Sequence, residues 1–160
     1  GSSFGVTKVK TPEQIQPAIA KAFAEAPEVM VEAFMDGMEI TCGCYMTARG
    51  SMVLPVTEVV SHHEYFDYDA KYKGDSDEIT PARIPDELRD RVQKLTAAIY
   101  HFVGARGIIR VDYIITEGTK INLLEVNTTP GMTATSFIPQ QVRAAGLDIK
   151  DVMTEIIEND

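Results

Sequence analysis

Apolar positions along the chain switch between two periods. Ile15, Ala18, Ile19, Ala22 and Phe23 recur at the three- and four-residue spacing of a helix face. Thr11 stands where an N-cap belongs, Pro12 takes the first helical position and Gln14 completes a capping box, with Ala26-Pro27 as the stop. A short strand is expected at 6–10, and further strands at 29–34, 38–46 and 51–60, with Asp36-Gly37 as a turn. From 61 to 80 the pattern breaks into an aromatic, charged stretch without period, of the kind that forms a lid or binding loop. A second helix over 85–103 points Leu88, Val92, Leu95, Ile99 and Phe102 inward and stops at Gly104. Two Ile- and Val-rich strands follow, 107–115 and 120–127, joined by the turn residues Glu117-Gly118-Thr119. A short helix over 139–145 ends at Gly146. Asp148 caps a last helix that buries Ile149, Val152, Met153, Ile156 and Ile157. This alternation predicts an α+β fold, a mostly antiparallel sheet backed by helices.

Composition narrows the class. At 160 residues and 44% hydrophobic content the chain can bury a single core of ordinary size. No apolar run reaches the length of a membrane span, so no membrane is expected as a partner. The net charge of −9 argues against a nucleic-acid surface, though not against a nucleotide, whose phosphates a metal ion and a few local cations can neutralise. Cys42 and Cys44 share one strand face as small apolar groups, and two thiols without a disulfide framework indicate the cytoplasm. A zinc site recruiting His62 and His63 lacks the usual ligand spacing.

The chemistry concentrates in the hairpin. Period-two alternation places Arg110 and Asp112 on one face of the first strand, and Glu125 and Asn127 on one face of the second. Antiparallel pairing brings Asp112 toward Glu125. Carboxylates in so apolar a sheet need compensation. A structural ion pair with Arg110 supplies it for one of them. A hard cation of the Mg²⁺ type accounts for all three oxygen groups.

The run Glu125-Val-Asn-Thr-Thr-Pro-Gly-Met132, following Arg110-Val-Asp112, resembles the ATP-grasp ligases, most closely the D-alanine–D-alanine ligases. Matching segments recur in order: Gly1-Ser-Ser-Phe-Gly-Val6, Phe66-Asp-Tyr-Asp-Ala-Lys-Tyr72 and Pro81-Ala82. The likeness runs from the first residue to about the last helix. It implies two parts. Residues 1–31 would be the remainder of the central ATP-grasp subdomain, with a phosphate-covering loop, a strand and a helix. Residues 32–160 would be the C-terminal ATP-grasp domain, carrying a metal site and the lid loop 61–80. An N-terminal domain and the first part of the central domain of the same enzyme would be its partners, in a parent homodimer.

The resemblance also implies roles. Glu32 would accept from the adenine amino group, the backbone of Ala33 and Met35 would read the base edge, and Glu39 would take the ribose hydroxyls. The alternative for both glutamates is a solvated strand end. Lys71 would reach the terminal phosphate of ATP from the lid, and Tyr72 would join Ser2 or Ser3 in a clasp that closes it. Gly1-Ser2-Ser3 is otherwise the remnant of an expression tag. Asp112, Glu125 and Asn127 would hold Mg²⁺ or Mn²⁺, two ions in all. Arg110 and the Gly131 amide would form an oxyanion site, and Ser136 would hold the carboxylate of the second D-alanine. The implied reaction makes the D-Ala-D-Ala dipeptide for peptidoglycan through an acyl phosphate. A different ATP-grasp carboxylate–amine ligase, or a noncatalytic nucleotide-binding module, are the alternatives. Intact Arg110, Asp112, Glu125 and Asn127 count against the module.

Overall fold

The computed structural model describes residues 4–61 and 76–159. The chain divides into two compact units, residues 1–35 with 61–77, and residues 36–60 with 78–160.

In the first unit a 3-10 turn, Pro12–Gln14, runs into helix α1, Ile15–Phe23. The Gln14 side chain accepts from the backbone N–H of Lys10 (2.8 Å) and of Thr11 (3.3 Å), which satisfies donors that a helix start leaves orphaned. Of the expected apolar stripe, Ala18, Ile19 and Ala22 are half-buried, whereas Ile15 and Phe23 are exposed. The expected strands at 6–10 and 29–34 do not form: both segments are irregular backbone. A strand exists only with a ladder partner, and no described pairing includes either segment. Their β-branched residues therefore stay outside a sheet, and Val31 is 81% exposed.

A six-stranded sheet, most of it in the second unit, comprises β1 Met38–Thr47, β2 Gly50–Val53, β3 Thr57–Ser61, β4 Ser76–Ile79, β5 Ile108–Thr116 and β6 Lys120–Asn127. The order is β4-β3-β1-β5-β6, with β2 pairing β1 beyond the end of β3. The single run expected at 51–60 is two strands, because Pro55 has no N–H to give to a ladder. The stretch expected to be loop through residue 80 contains β4 at its end.

Helices cover both faces. Helix α2, Asp86–Phe102, packs Leu88, Val92 and Tyr100 against Ile40, Cys42, Cys44, Ile109, Val111, Tyr113 and Ile115. Its buried row is a strict four-residue repeat, Leu88-Val92-Thr96-Tyr100. Phe102, expected inward, is 91% exposed, and Thr96 and Tyr100 turn in instead. Those polar groups are satisfied there: Thr96 Oγ1 bonds the Val92 carbonyl (2.9 Å) and the Tyr113 hydroxyl (2.8 Å), and the Tyr100 hydroxyl donates to the Gly107 carbonyl (2.9 Å). On the opposite face, α3 Phe137–Ala144 and α4 Ile149–Asn159 close a second cluster of Tyr45, Leu54, Ile138, Val142 and Val152. Asp148 caps α4 through Lys150 N–H (2.8 Å), and Ile157, expected inside, is exposed.

The β5–β6 hairpin turns at Glu117 and Gly118, both with positive φ (52° and 72°), as a primed turn requires. From Thr116↔Lys120 the ladder runs evenly to Tyr113↔Leu123. The next pair is Asp112↔Glu125, so Leu124 is a β-bulge. Side chains alternate, and an unbroken ladder would set Asp112 opposite Leu124, with Glu125 and Asn127 on the other face. The bulge restores both to the face of Arg110 and Asp112.

Candidate active site

Ile109, Val111, Tyr113 and Ile115 point from β5 into the α2 core, so Arg110 and Asp112 occupy the opposite face. Directly paired residues share a face. One row across the sheet therefore reads Thr57, Thr41, Asp112, Glu125, and the next Gly43, Arg110, Asn127. Glu39, two residues before Thr41, lies on the same face.

Arg110 grips Asp112 side-on, Nε to Oδ1 at 2.8 Å and Nη2 to Oδ2 at 2.7 Å, and its Nη2 lies 3.9 Å from Glu125 Oε1. The Thr41 hydroxyl donates to the same Asp112 Oδ1 at 2.6 Å. Burial works against the Arg110 charge, yet the bond and charge of Asp112, with Glu125 and Glu39 adding, outweigh it and raise the guanidinium pKa. Arg110 and Asp112 are mostly buried, while the Glu125 side chain is 47% exposed. The arrangement is a cation held beside two carboxylates, one fixed and one accessible.

The loop after β6 returns to this face. Asn127 Oδ1 accepts from Thr129 N–H (3.1 Å), starting the turn. At Gly131 an added Cβ would stand 2.9 Å from Ser136 Oγ, so the backbone there runs close against the Ser136 side chain. Ser136 Oγ bonds Thr133 through its hydroxyl (2.8 Å) and its N–H (3.2 Å), at the start of α3. The Arg110 guanidinium carbon lies 5.2 Å from the ring of Phe137, the next residue. Arg110, Gly131 and Ser136 thus belong to one neighbourhood with Asp112, Glu125 and Asn127.

Beneath it lies a group that sequence reasoning missed. Gln141 of α3 is fully buried. Its Oε1 accepts from Gly43 N–H (2.9 Å), and its Nε2 donates to the Thr41 carbonyl (3.1 Å) and to Thr57 Oγ1 (3.0 Å). It occupies the gap where β2 has ended and β3 has not begun, and serves β1 as a peptide group would. The available signal was a single amide one turn from Ile138 on an apolar helix face.

The other expected site residues divide between the two units and the residues outside the description. Glu32 and Ala33 are exposed and Met35 is half-buried, all in the first unit, while Glu39 is half-buried in the second. Lys71, Tyr72, Ser2, His62 and His63 lie outside the described residues. Among the described residues no three His, Cys, Asp or Glu side chains form a metal-holding group. The oxygen set on the sheet face contains two carboxylates and one amide.

Comparison with known proteins decides the family. A family model described as "D-ala D-ala ligase C-terminus" matches residues 1–158. This chain belongs to the D-Ala-D-Ala ligase family. It is 79% identical over 159 residues to a D-alanine–D-alanine ligase of Bacteroides fragilis, covering 99% of this chain and 49% of that protein. A D-alanine–D-alanine ligase of Phocaeicola vulgatus is 72% identical over the same span, with 49% of its length covered. The fold resembles the VanG D-Ala:D-Ser ligase of Enterococcus faecalis (TM-score 0.84, 34% identity, 99% of this chain and 46% of that one). It also resembles a Bacillus anthracis D-alanine–D-alanine ligase complexed with ATP (TM-score 0.76, 32% identity, 94% and 48%). The α+β, ATP-grasp assignment made from sequence holds. The chain spans about half the length of the curated relatives it matches. No helix among the described residues is long and apolar enough to cross a membrane.

Proposed function

We propose that this chain supplies the nucleotide and phosphoryl-transfer half of an ATP-dependent D-alanine–D-alanine ligase of the cytoplasm, making the dipeptide used in peptidoglycan. The first D-alanine carboxylate attacks the terminal phosphate of ATP, giving an acyl phosphate and ADP. The amine of a second D-alanine then displaces phosphate and loses its proton.

The observation that carries this reading is the joint placement of Arg110, Asp112, Glu125 and Asn127 on one sheet face beside the Gly131–Ser136 turn. Two carboxylates and an amide oxygen are hard donors that suit Mg²⁺ or Mn²⁺, two ions in all. Held there by Asp112, Glu125 and Asn127, such ions would neutralise phosphate charge. Arg110 stabilises the transferring phosphate and, with the Gly131 amide, the tetrahedral oxyanion. Ser136 orients the carboxylate of the second substrate. Glu32, Ala33, Met35 and Glu39 bind adenosine. Lys71, Tyr72 and Ser2 belong to the lid and its clasp, which exclude water from the acyl phosphate. In this reading residues 1–31 belong to the central ATP-grasp subdomain and 32–160 to the C-terminal one. The rest of the enzyme supplies the first D-alanine site, and the whole works as a homodimer.

The test uses a full-length ligase carrying this chain, supplied with ATP, Mg²⁺ and D-alanine, D-serine or D-lactate. D-Alanyl-D-alanine formed with one phosphate released per dipeptide is the expected result. Phosphate release without dipeptide, or a product only with D-serine or D-lactate as the second substrate, would overturn the reading.

A further inference from the structure

We propose that Thr41, keyed in place by Gln141, is a positioning residue that presents Asp112 to the divalent cation. The inference rests on the reading of Asp112 as a metal ligand.

Three observations carry it. The Thr41 hydroxyl makes the shortest described bond to Asp112, 2.6 Å to Oδ1, from the directly paired position on β1. Thr41 is buried, and its β-branched side chain is stiff at χ1, so the hydroxyl is presented in one direction. Its backbone carbonyl accepts in turn from the Gln141 amide, which also bonds Thr57 and Gly43, so one side chain ties three positions of the β1–β3 region. Gln141 belongs to the same helix, α3, that begins at the Ser136 turn.

Arg110 also binds Asp112, but a guanidinium is a poor sole anchor for a metal ligand. Its charge opposes an approaching cation, and the proposed reaction asks it to face phosphate as well. Thr41 orients the carboxylate without adding charge. Outer partners of metal ligands commonly act this way, and their loss weakens metal affinity about 10- to 100-fold.

The experiment compares Thr41→Val and Thr41→Ser with the unsubstituted protein in a full-length ligase carrying this chain. Two quantities are read. One is Mn²⁺ binding in the presence of ATP, followed by the electron paramagnetic resonance signal of free Mn²⁺. The other is the Mg²⁺ concentration giving half-maximal dipeptide formation. Thr41→Val should weaken Mn²⁺ binding about tenfold or more and raise the Mg²⁺ requirement in parallel. Thr41→Ser, which keeps the hydroxyl, should restore most of both. If Thr41→Val loses its circular dichroism signature of folding, Thr41→Ala replaces it with the same expectations. Unchanged Mn²⁺ affinity in the variant lacking the hydroxyl, or equal loss in Thr41→Ser, overturns the proposal. An unsubstituted ligase that forms no dipeptide counts instead against the functional reading.

Discussion

Glu58 sits on the α2 face of the sheet, buried, and it is there because Arg83 comes to it. Arg83 Nε and Nη2 donate to its two oxygens at 2.8 and 2.7 Å, and the Arg83 N–H adds a third bond at 3.3 Å. The bond from Arg83 outweighs burial and holds the carboxyl below its ordinary value of 4.5. A depressed folded pKa gives stability that is present in full above the unfolded value and lost as pH falls through the folded one. Glu58→Gln should therefore cost about 1.5–3 kcal/mol near neutral pH, the size of a hydrogen bond to a charged group. The gap between the two proteins should stay constant above about pH 4.5 and narrow on acidification below it. Urea unfolding at a series of pH values checks both. Cys42 and Cys44 show the opposite treatment: burial pushes each thiol up to about 12, so both stay protonated and act as packing.

Among the elements, β1 is the one on which the site depends, because both clusters and the Asp112 row touch it. Gly43 is where it meets α3. An added Cβ would stand 2.6 Å from Ile138 Cδ1, and 2.9 Å from both Gln141 Oε1 and Leu54 Cδ1. Gly43→Ala should destabilise by about 1–3 kcal/mol through overpacking, read as a lowered urea midpoint at unchanged slope. At this scale the sequence was legible wherever burial enforced a period. Helix α2 and strands β1, β5 and β6 lie within a residue or two of their expected bounds. It was less legible where burial is shared with polar groups: Thr96 and Tyr100 took the inward places that Phe102 was expected to share. The site itself was read by alternation, which gave the right pairs of residues on each strand. Alternation alone does not fix register across a hairpin, and the meeting of Asp112 with Glu125 depends on the bulge at Leu124. The irregular segments 6–10 and 29–34 were illegible for another reason, since strand propensity without a ladder partner yields no strand.

At the scale of the molecule, the larger unit is a sheet covered by α2 on one face and by α3 and α4 on part of the other, with the oxygen cluster on the part they leave. The proposed reading assigns phosphoryl transfer to Arg110, Asp112, Glu125 and Asn127. Asp112 also anchors the Arg110 guanidinium, so removing it mixes structure with chemistry. Glu125 is accessible and its contact with Arg110 is long, 3.9 Å. Glu125→Gln keeps the size and shape of the side chain and removes its charge. The most direct measurement is D-alanine-dependent phosphate release by a full-length ligase carrying this chain, with and without Glu125→Gln, at saturating Mg²⁺ and alongside thermal unfolding. The account predicts a fall in turnover of about a hundredfold or more, the size of one lost electrostatic group at a reacting phosphate, with little change in melting temperature. Turnover equal to that of the unsubstituted protein would contradict it.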